Sequence, residues 1–312
     1  MLVAMQIEFG LRFVLLLGVI VGSVAVGGAV QSAAAVECAP PAPIEASQTE
    51  PGTDATPVSQ NDATPTSTRE LIRDGLTNLV KVVAACKTEG DFATMSQLVT
   101  ENYLGQIYGG GPNMSRETFL AMADGLPTPR VRFREFDDLS LTGPRAARAN
   151  VKLVVGNQVT FERITFVEEK NRPGVWLIDS ATPLRVKPPR NRADISVTIT
   201  KNRYNPAELS AANATVNIHA SNSDPEGHEL LVLRLEDGVT TDVLLKHSGP
   251  DLPDGVTYMG QVTIPARSAG NLVLVGLKPG TYAIVDLLPA DNGVPHLAVG
   301  MEATLTITSA SD

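Results

Sequence analysis

The chain has 312 residues, of which 43% are hydrophobic and 19% charged, with a formal net charge of −9 at pH 7. That length sets an expectation of about two domains. The acidic balance speaks against nucleic acid and anionic lipid surfaces as partners, because both need a concentrated cationic footprint and the sequence has none.

Residues 13–30 are an unbroken run of apolar and small side chains, preceded by Arg12 and followed by Gln31-Ser-Ala-Ala-Ala35. This pattern predicts a signal peptide over residues 1–35, cut after Ala35, and a secreted or extracytoplasmic protein. The run also reaches the lower limit of about 18 residues for a membrane span. An uncleaved anchor that holds the protein at the cell surface is therefore the alternative. Cys38 follows Glu37 rather than a small residue, which departs from the acylation pattern of bacterial lipoproteins.

Residues 36–66 are rich in Pro, Ala, Thr and Ser and carry almost no large apolar side chain, so they predict a disordered tether. The sequence has two cysteines, Cys38 and Cys86. In an oxidising compartment they either pair, tying the tether to the first domain, or stay free; spacing does not decide between these.

Order is expected from Ser67, where Ser67-x-x-Glu70 forms a capping box ahead of Leu71, Ile72, Leu76, Leu79, Val80 and Val83 at helical spacing. That helix should reach about Cys86. Asp91 can cap a second helix carrying Phe92, Met95 and Leu98, and Ser115 a third carrying Phe119 and Met122. The period then changes to two over residues 131–141, 147–155, 159–167 and 175–178. Helices followed by a meander of strands give an α+β arrangement over residues 67–188, in which a curved sheet wraps the long first helix. The element order, with Thr100-Glu-Asn-Tyr103-Leu and Gly174-Val-Trp176-Leu-Ile-Asp179, resembles the SnoaL-like, or nuclear-transport-factor-like, cone. The resemblance implies a cavity for a small-molecule ligand. Tyr103 and Tyr108 are then candidate donors and Asp137, Asp138 and Asp179 candidate acids for an isomerase or cyclase type of chemistry. Gly109-Gly-Gly111 lacks the strand and the Lys-Ser/Thr of a phosphate loop.

The basic, Pro-rich stretch 186–192 marks a boundary, and beyond it short alternating segments predict an all-β sandwich over residues 193–312. Here several residues resemble a cupredoxin. Tyr204-Asn-Pro206 is similar to the family's opening, and Asn222 with His228-Glu-Leu230 to the strand that supplies the first imidazole. Leu277-x-Pro279-Gly280-x-Tyr282 is similar to the turn into the ligand strand, and His296 with Met301 to the second imidazole and the axial thioether. The resemblance implies a Greek-key sandwich and a ligand set of His228, Asp286, His296 and Met301. Asp286 stands where the copper thiolate belongs, and the loop to His296 is longer than in small blue copper proteins.

Without sulfur the site loses the soft donor that makes type 1 copper blue and redox-active. Two outcomes stay open: a domain that binds no metal, or a non-blue copper or zinc site of harder, more tetragonal character. His219 falls on the polar side of its strand and His247 in a Gly-Pro-Asp loop, so both read as surface residues. The expectation is an extracytoplasmic binding protein with a degenerate cupredoxin-like domain. The alternatives are a copper-binding or electron-transfer protein and a small-molecule enzyme in the cone.

Overall fold

The computed structural model describes residues 36–44, 68–109, 111–123, 125–126, 128–247 and 251–308. The expected signal peptide, most of the expected tether and the cap residue Ser67 lie outside these. Among the described residues no helix is long and apolar enough to cross a membrane.

Helix α1 spans Thr68–Glu89, and its stripe of Leu76, Leu79, Val80, Val83 and Cys86 is buried. Helix α2, Phe92–Gln97, is capped by Asp91, whose side chain accepts the Thr94 N–H. A helix the sequence reading did not separate, α3 at Glu101–Tyr108, is capped in the same way by Thr100 through the Tyr103 N–H. In α4, Arg116–Ala123, Phe119 is fully buried while Met122 faces out. Strands β1 (Val131–Gly143), β2 (Ala146–Val155), β3 (Gln158–Glu168) and β4 (Trp176–Pro183) form an antiparallel meander. Three register shifts interrupt the β1–β2 ladder, and Asp138 adopts φ 52° there. Such bulges bend a strand and free its carbonyls. Two arginines of α1 collect them: Arg69 donates to the Leu139 oxygen and Arg73 to that of Phe136.

The first residues assigned to the tether depart from expectation. Cys38 is disulfide-bonded to Cys86 on α1, and the Ile44 N–H donates to the Gly174 oxygen at 2.8 Å. A methyl group on Gly75 would meet Ile44 Cδ1 at 2.3 Å, and one on Gly174 the Ile44 oxygen at 2.6 Å. Composition fails here because two point anchors, a thiol and one isoleucine in a glycine-lined seat, hold a segment that has no core of its own.

The second unit is a sandwich. Strands β5 (Ala193–Ile199), β6 (Tyr204–Asn205), β8 (Val216–Asn222) and β11 (Ala269–Leu274) lie in the order β11-β8-β5-β6 in one layer, which continues from β11 through β3 into the meander as an eight-stranded sheet. Strands β7 (Glu208–Ala211), β9 (His228–Leu235), β10 (Val256–Ile264), β12 (Gly280–Val285) and β13 (Glu302–Ile307) make the other, in the order β10-β9-β12-β13-β7. The pairs β5–β8 and β7–β13 are parallel, the rest antiparallel. Ile218, Leu230, Val232, Ile284 and Leu305 fill the space between the sheets. The outer face of β9 and β12 is also covered, by Leu244 of α5 (Asp242–Lys246) together with Leu252 and Leu297. That second cover explains why β9 reads as a continuous apolar run.

The two units meet at the β2–β3 turn. Leu274 of β11 pairs with Gln158, the Asn157 N–H donates to the Met259 oxygen, and Gln158 Nε2 donates to the Gln261 oxygen.

Candidate metal centre

The ladder between β9 and β12 aligns Ile284 with Val232 and Tyr282 with Arg234. Side chains alternate along a strand, so His228, at the start of β9, and Asp286, just past β12, both project toward the inter-sheet space. From Leu287 the chain folds on itself: Pro289 bridges Pro295, and the Ala290 N–H donates to the Val294 oxygen. Gly293 turns the loop at φ 78°. The return brings His296 to a single turn of 3-10 helix, His296–Val299, and the His296 N–H donates to the Leu288 oxygen at 3.0 Å. The longer ligand loop is thus a small closed hairpin rather than slack.

These elements place three donor atoms, one each from His228, Asp286 and His296, within 4.8 Å of one another, and all three residues are buried. Asp286 Oδ2 lies 2.8 Å from His228 Nδ1 and 3.0 Å from His296 Nδ1. The other carboxylate oxygen accepts the Leu288 N–H at 2.9 Å, which fixes the plane of the group. The two rings are 4.6 Å apart, tilted by 52°. Met301 is fully buried in the inter-sheet core and is tied to the same spot through its backbone, which accepts from the Asp286 N–H and donates to the His296 oxygen.

Two acids unmentioned by the sequence reading complete the surroundings. Asp224 Oδ2 approaches His228 Nε2 to 3.3 Å, and Glu226 Oε2 approaches His296 Nε2 to 3.5 Å. Both approaches are close enough for charge interaction but outside hydrogen-bond geometry, and the two Nε2 atoms remain without a hydrogen-bond partner. Asn222 is the organiser of this loop. Its amide donates to the oxygens of Glu226, Ile264 and Pro265, and its carbonyl accepts the Asp224 N–H.

Burial opposes ionisation of Asp224, but the N–H groups of Asn202 and Lys201 and the neighbouring His228 outweigh it and hold the carboxyl below its usual range. Burial likewise disfavours a charged His228, yet Asp286, Asp224 and Glu226 overcome it and raise its pKa. His228 therefore holds a proton more firmly than a free imidazole, with Nδ1 at hydrogen-bond distance from Asp286 and Nε2 facing the Asp224 carboxylate at 3.3 Å.

The donor set fits a divalent transition ion. Each ring turns Nδ1 to the shared centre and Nε2 toward a carboxylate, the orientation that metal-ligating histidines take with their outer partners. The spacings around Oδ2 match ligands held about 2 Å from one point. Three carboxylates face two imidazoles, an excess of negative charge that either protons or a dication can balance. His219 and His247 stand apart, bonded to Asn271 and Asp251 on the surface.

Glu229, the residue after the first histidine, lies on the opposite face of β9 and is 4% exposed. Its carboxyl accepts the Leu287 N–H at 3.0 Å, but burial raises its pKa to about 7, with Asp286 adding repulsion. The unfolded chain releases this proton near 4.5 and the folded protein near 7. Between these values the native state binds more protons, so stability falls as pH rises, by about 3 kcal/mol in all. Glu229→Gln keeps the acceptor for Leu287, and we expect chelator-treated protein to gain about 1–3 kcal/mol at pH 8 and nothing at pH 4.5. Urea unfolding at the two pH values measures this.

No protein family matches the chain, and no curated protein matches it. Solved cupredoxin structures cover about 40% of it. Auracyanin B is 21% identical, with a TM-score of 0.31 over 40% of this chain and 93% of that one. Reduced auracyanin from Roseiflexus castenholzii is 16% identical, with a TM-score of 0.29 over 37% of this chain and 97% of that one. Rusticyanin from Thiobacillus ferrooxidans is 14% identical, with a TM-score of 0.26 over 38% and 79%.

Proposed function

We propose that the chain is an extracytoplasmic binding protein whose sandwich holds a single Cu(II) ion in a non-blue site made by His228 Nδ1, Asp286 Oδ2 and His296 Nδ1. The observation that carries this reading is the convergence of those three buried donors from three separate segments. Copper is favoured over zinc because nitrogen and oxygen sites follow the general affinity order in which Cu(II) stands highest. A carboxylate in place of a thiolate stabilises the higher charge, so bound copper stays Cu(II) and the site binds rather than passes electrons. Met301, tied beside the three donors through its backbone, is the thioether that would accompany them. The extracytoplasmic location rests on the leader sequence and on the Cys38–Cys86 disulfide, a bond that persists in oxidising compartments. The α+β unit is read as a SnoaL-like cone from its element order, and in this proposal it accompanies the metal site rather than acting on it.

A second reading has its own support. Asp286 Oδ2 already lies at hydrogen-bond distance from both rings, so the cluster is complete as a proton-bridged structural core. Equilibrium dialysis of chelator-treated protein against Cu(II) separates the two. The metal reading requires one ion per chain, an affinity that rises with pH as the His228 proton is displaced, and a loss of at least about 100-fold in His296→Ala. Absence of stoichiometric retention, or retention unchanged in that variant, leaves the proton-bridged core.

A further inference from the structure

The two acids that face the outer nitrogens of the histidine rings are held in different ways. Asp224 is 8% exposed, and both of its carboxylate oxygens are fixed by backbone: Oδ1 accepts the Lys201 N–H at 2.8 Å and Oδ2 the Asn202 N–H at 2.9 Å. Its own main chain is tied as well, since its N–H donates to Asn222 Oδ1 and its oxygen accepts the Arg267 N–H. The Glu226 side chain, by contrast, is 32% exposed, and among the described residues no backbone N–H holds its carboxylate.

Lys201 and Asn202 form the turn between β5 and β6, which the Thr200 N–H closes by donating to the Arg203 oxygen. Both adopt left-handed backbone, at φ 53° and 55°. Tight hairpin turns of this hand ordinarily use glycine or asparagine, and a lysine there is disfavoured. The conformation turns two successive N–H groups toward one carboxylate, a small anion seat made of main chain alone. β5 and β8 pair in parallel up to Ile199 and Asn222, which brings this turn beside Asp224. One layer of the sandwich thus presents a fixed carboxylate to His228, which begins β9 in the other layer. Asp224 Oδ2 stands 3.3 Å from His228 Nε2, a buried ring nitrogen without a hydrogen-bond partner.

We propose that Asp224, seated on the Lys201–Asn202 turn, is the positioning residue of the metal site: it orients the His228 ring so that Nδ1 and not Nε2 faces the ion, while Glu226 has no comparable role for His296. The inference rests on the copper reading above. When Nδ1 is given to an ion, the hydrogen of a neutral imidazole sits on Nε2, and an ionised acceptor fixed in front of it holds both that tautomer and the ring plane. A carboxylate already immobilised loses little freedom in doing so. One on an unanchored, partly exposed side chain gives up rotamers and is screened by water, which offsets most of its contribution.

Copper retention by equilibrium dialysis, with electron spin echo spectroscopy of the outer ring nitrogens in the full chain carrying one equivalent of Cu(II), tests this. Asp224→Asn should weaken retention about 10- to 100-fold and shift the signal of one outer nitrogen while leaving the other in place; a residue that only stabilises the fold has no reason to shift one alone. Glu226→Gln should stay within about 3-fold of the native chain. On the turn, Asn202→Gly keeps the N–H and the left-handed backbone and should bind as the native chain does. Asn202→Val, whose branched side chain resists that backbone, should weaken retention about 3- to 10-fold. If Asp224→Asn does not fold, the two Asn202 variants decide the matter. Equal retention in Asp224→Asn, an equally large loss in Glu226→Gln, or equal binding by the two Asn202 variants overturns the proposal and leaves the copper site standing. Absence of stoichiometric copper in the native chain overturns both.

Discussion

Asp286→Ala is expected to destabilise the metal-free protein by about 3–5 kcal/mol at pH 6, the cost of removing one partner from a buried charged cluster. The change leaves His228 and His296 facing a void, His228 with its charge supported only by the flanking acids, and the Leu288 N–H without its acceptor. Asp286→Asn should behave differently, costing about 1 kcal/mol. Its amide nitrogen can donate to both Nδ1 atoms, the rings then carry their hydrogens on Nε2 toward Asp224 and Glu226, and its oxygen keeps the Leu288 N–H. The pH dependence also separates the variants. A histidine whose folded pKa is raised contributes stability that is fully present below its unfolded pKa, about 6.5, and is lost as pH rises through the folded value. In the native protein His228 and Glu229 therefore act in the same direction, and stability declines from weakly acidic to weakly basic pH. Asp286→Asn should flatten the His228 part of that decline. Denaturant unfolding of the three proteins at pH 6 and pH 8 gives the comparison; a decline with pH that Asp286→Asn leaves unchanged would mean that Asp286 serves packing and not the charged cluster.

Cys38→Ser is expected to cost about 2–4 kcal/mol, because the disulfide closes a separation of 48 residues and restricts the unfolded chain accordingly. The effect should extend to one face of the first unit. Pro40, Pro41 and Pro43 border a recess of about 400 Å³ that Ile44 closes and that Trp176 helps to line. Trp176 is the chain's single tryptophan and is 9% exposed. With the disulfide gone, the Ile44 seat is the remaining anchor described for the segment, and its release should admit water to Trp176 and shift the emission to the red. Gly75→Ala provides the complementary test, since it fills the seat while leaving the cysteines intact. It should give the same red shift with a smaller loss of stability. An unchanged emission in both variants would show that the segment does not cover Trp176 in solution.

The alternating strands of both units were legible to within a few residues, because a period of two survives wherever one face is buried. Helices α3 and α5 were not. They have 8 and 5 residues, too few for a helical period to emerge; α2 and α4 are as short and were legible from the caps Asp91 and Ser115, whereas Thr100 was not read as a cap and Thr241 makes no side-chain cap bond. In the candidate metal centre, the resemblance located His228, Asp286, His296 and Met301, and the fold brings the two histidines and the aspartate together. The roles of Asp224, Glu226 and Glu229 depend on burial and on loop closure around Asn222, although the acidic run Asp224-Pro-Glu226-Gly-His228-Glu229 was visible as a signal. The acids considered for the α+β unit are occupied or exposed. Asp179 accepts from Thr100 and Asn102, Asp138 from Asn150, and Asp137 faces solvent.

Electron paramagnetic resonance of the chain loaded with one equivalent of Cu(II) tests the sandwich site most directly. A tetragonal spectrum with splitting from two imidazole nitrogens, no intense visible absorption, and loss of the signal in His228→Ala and His296→Ala is the predicted result. A spectrum indifferent to both substitutions, or an intense thiolate-type colour, would contradict a buried histidine-aspartate-histidine copper site.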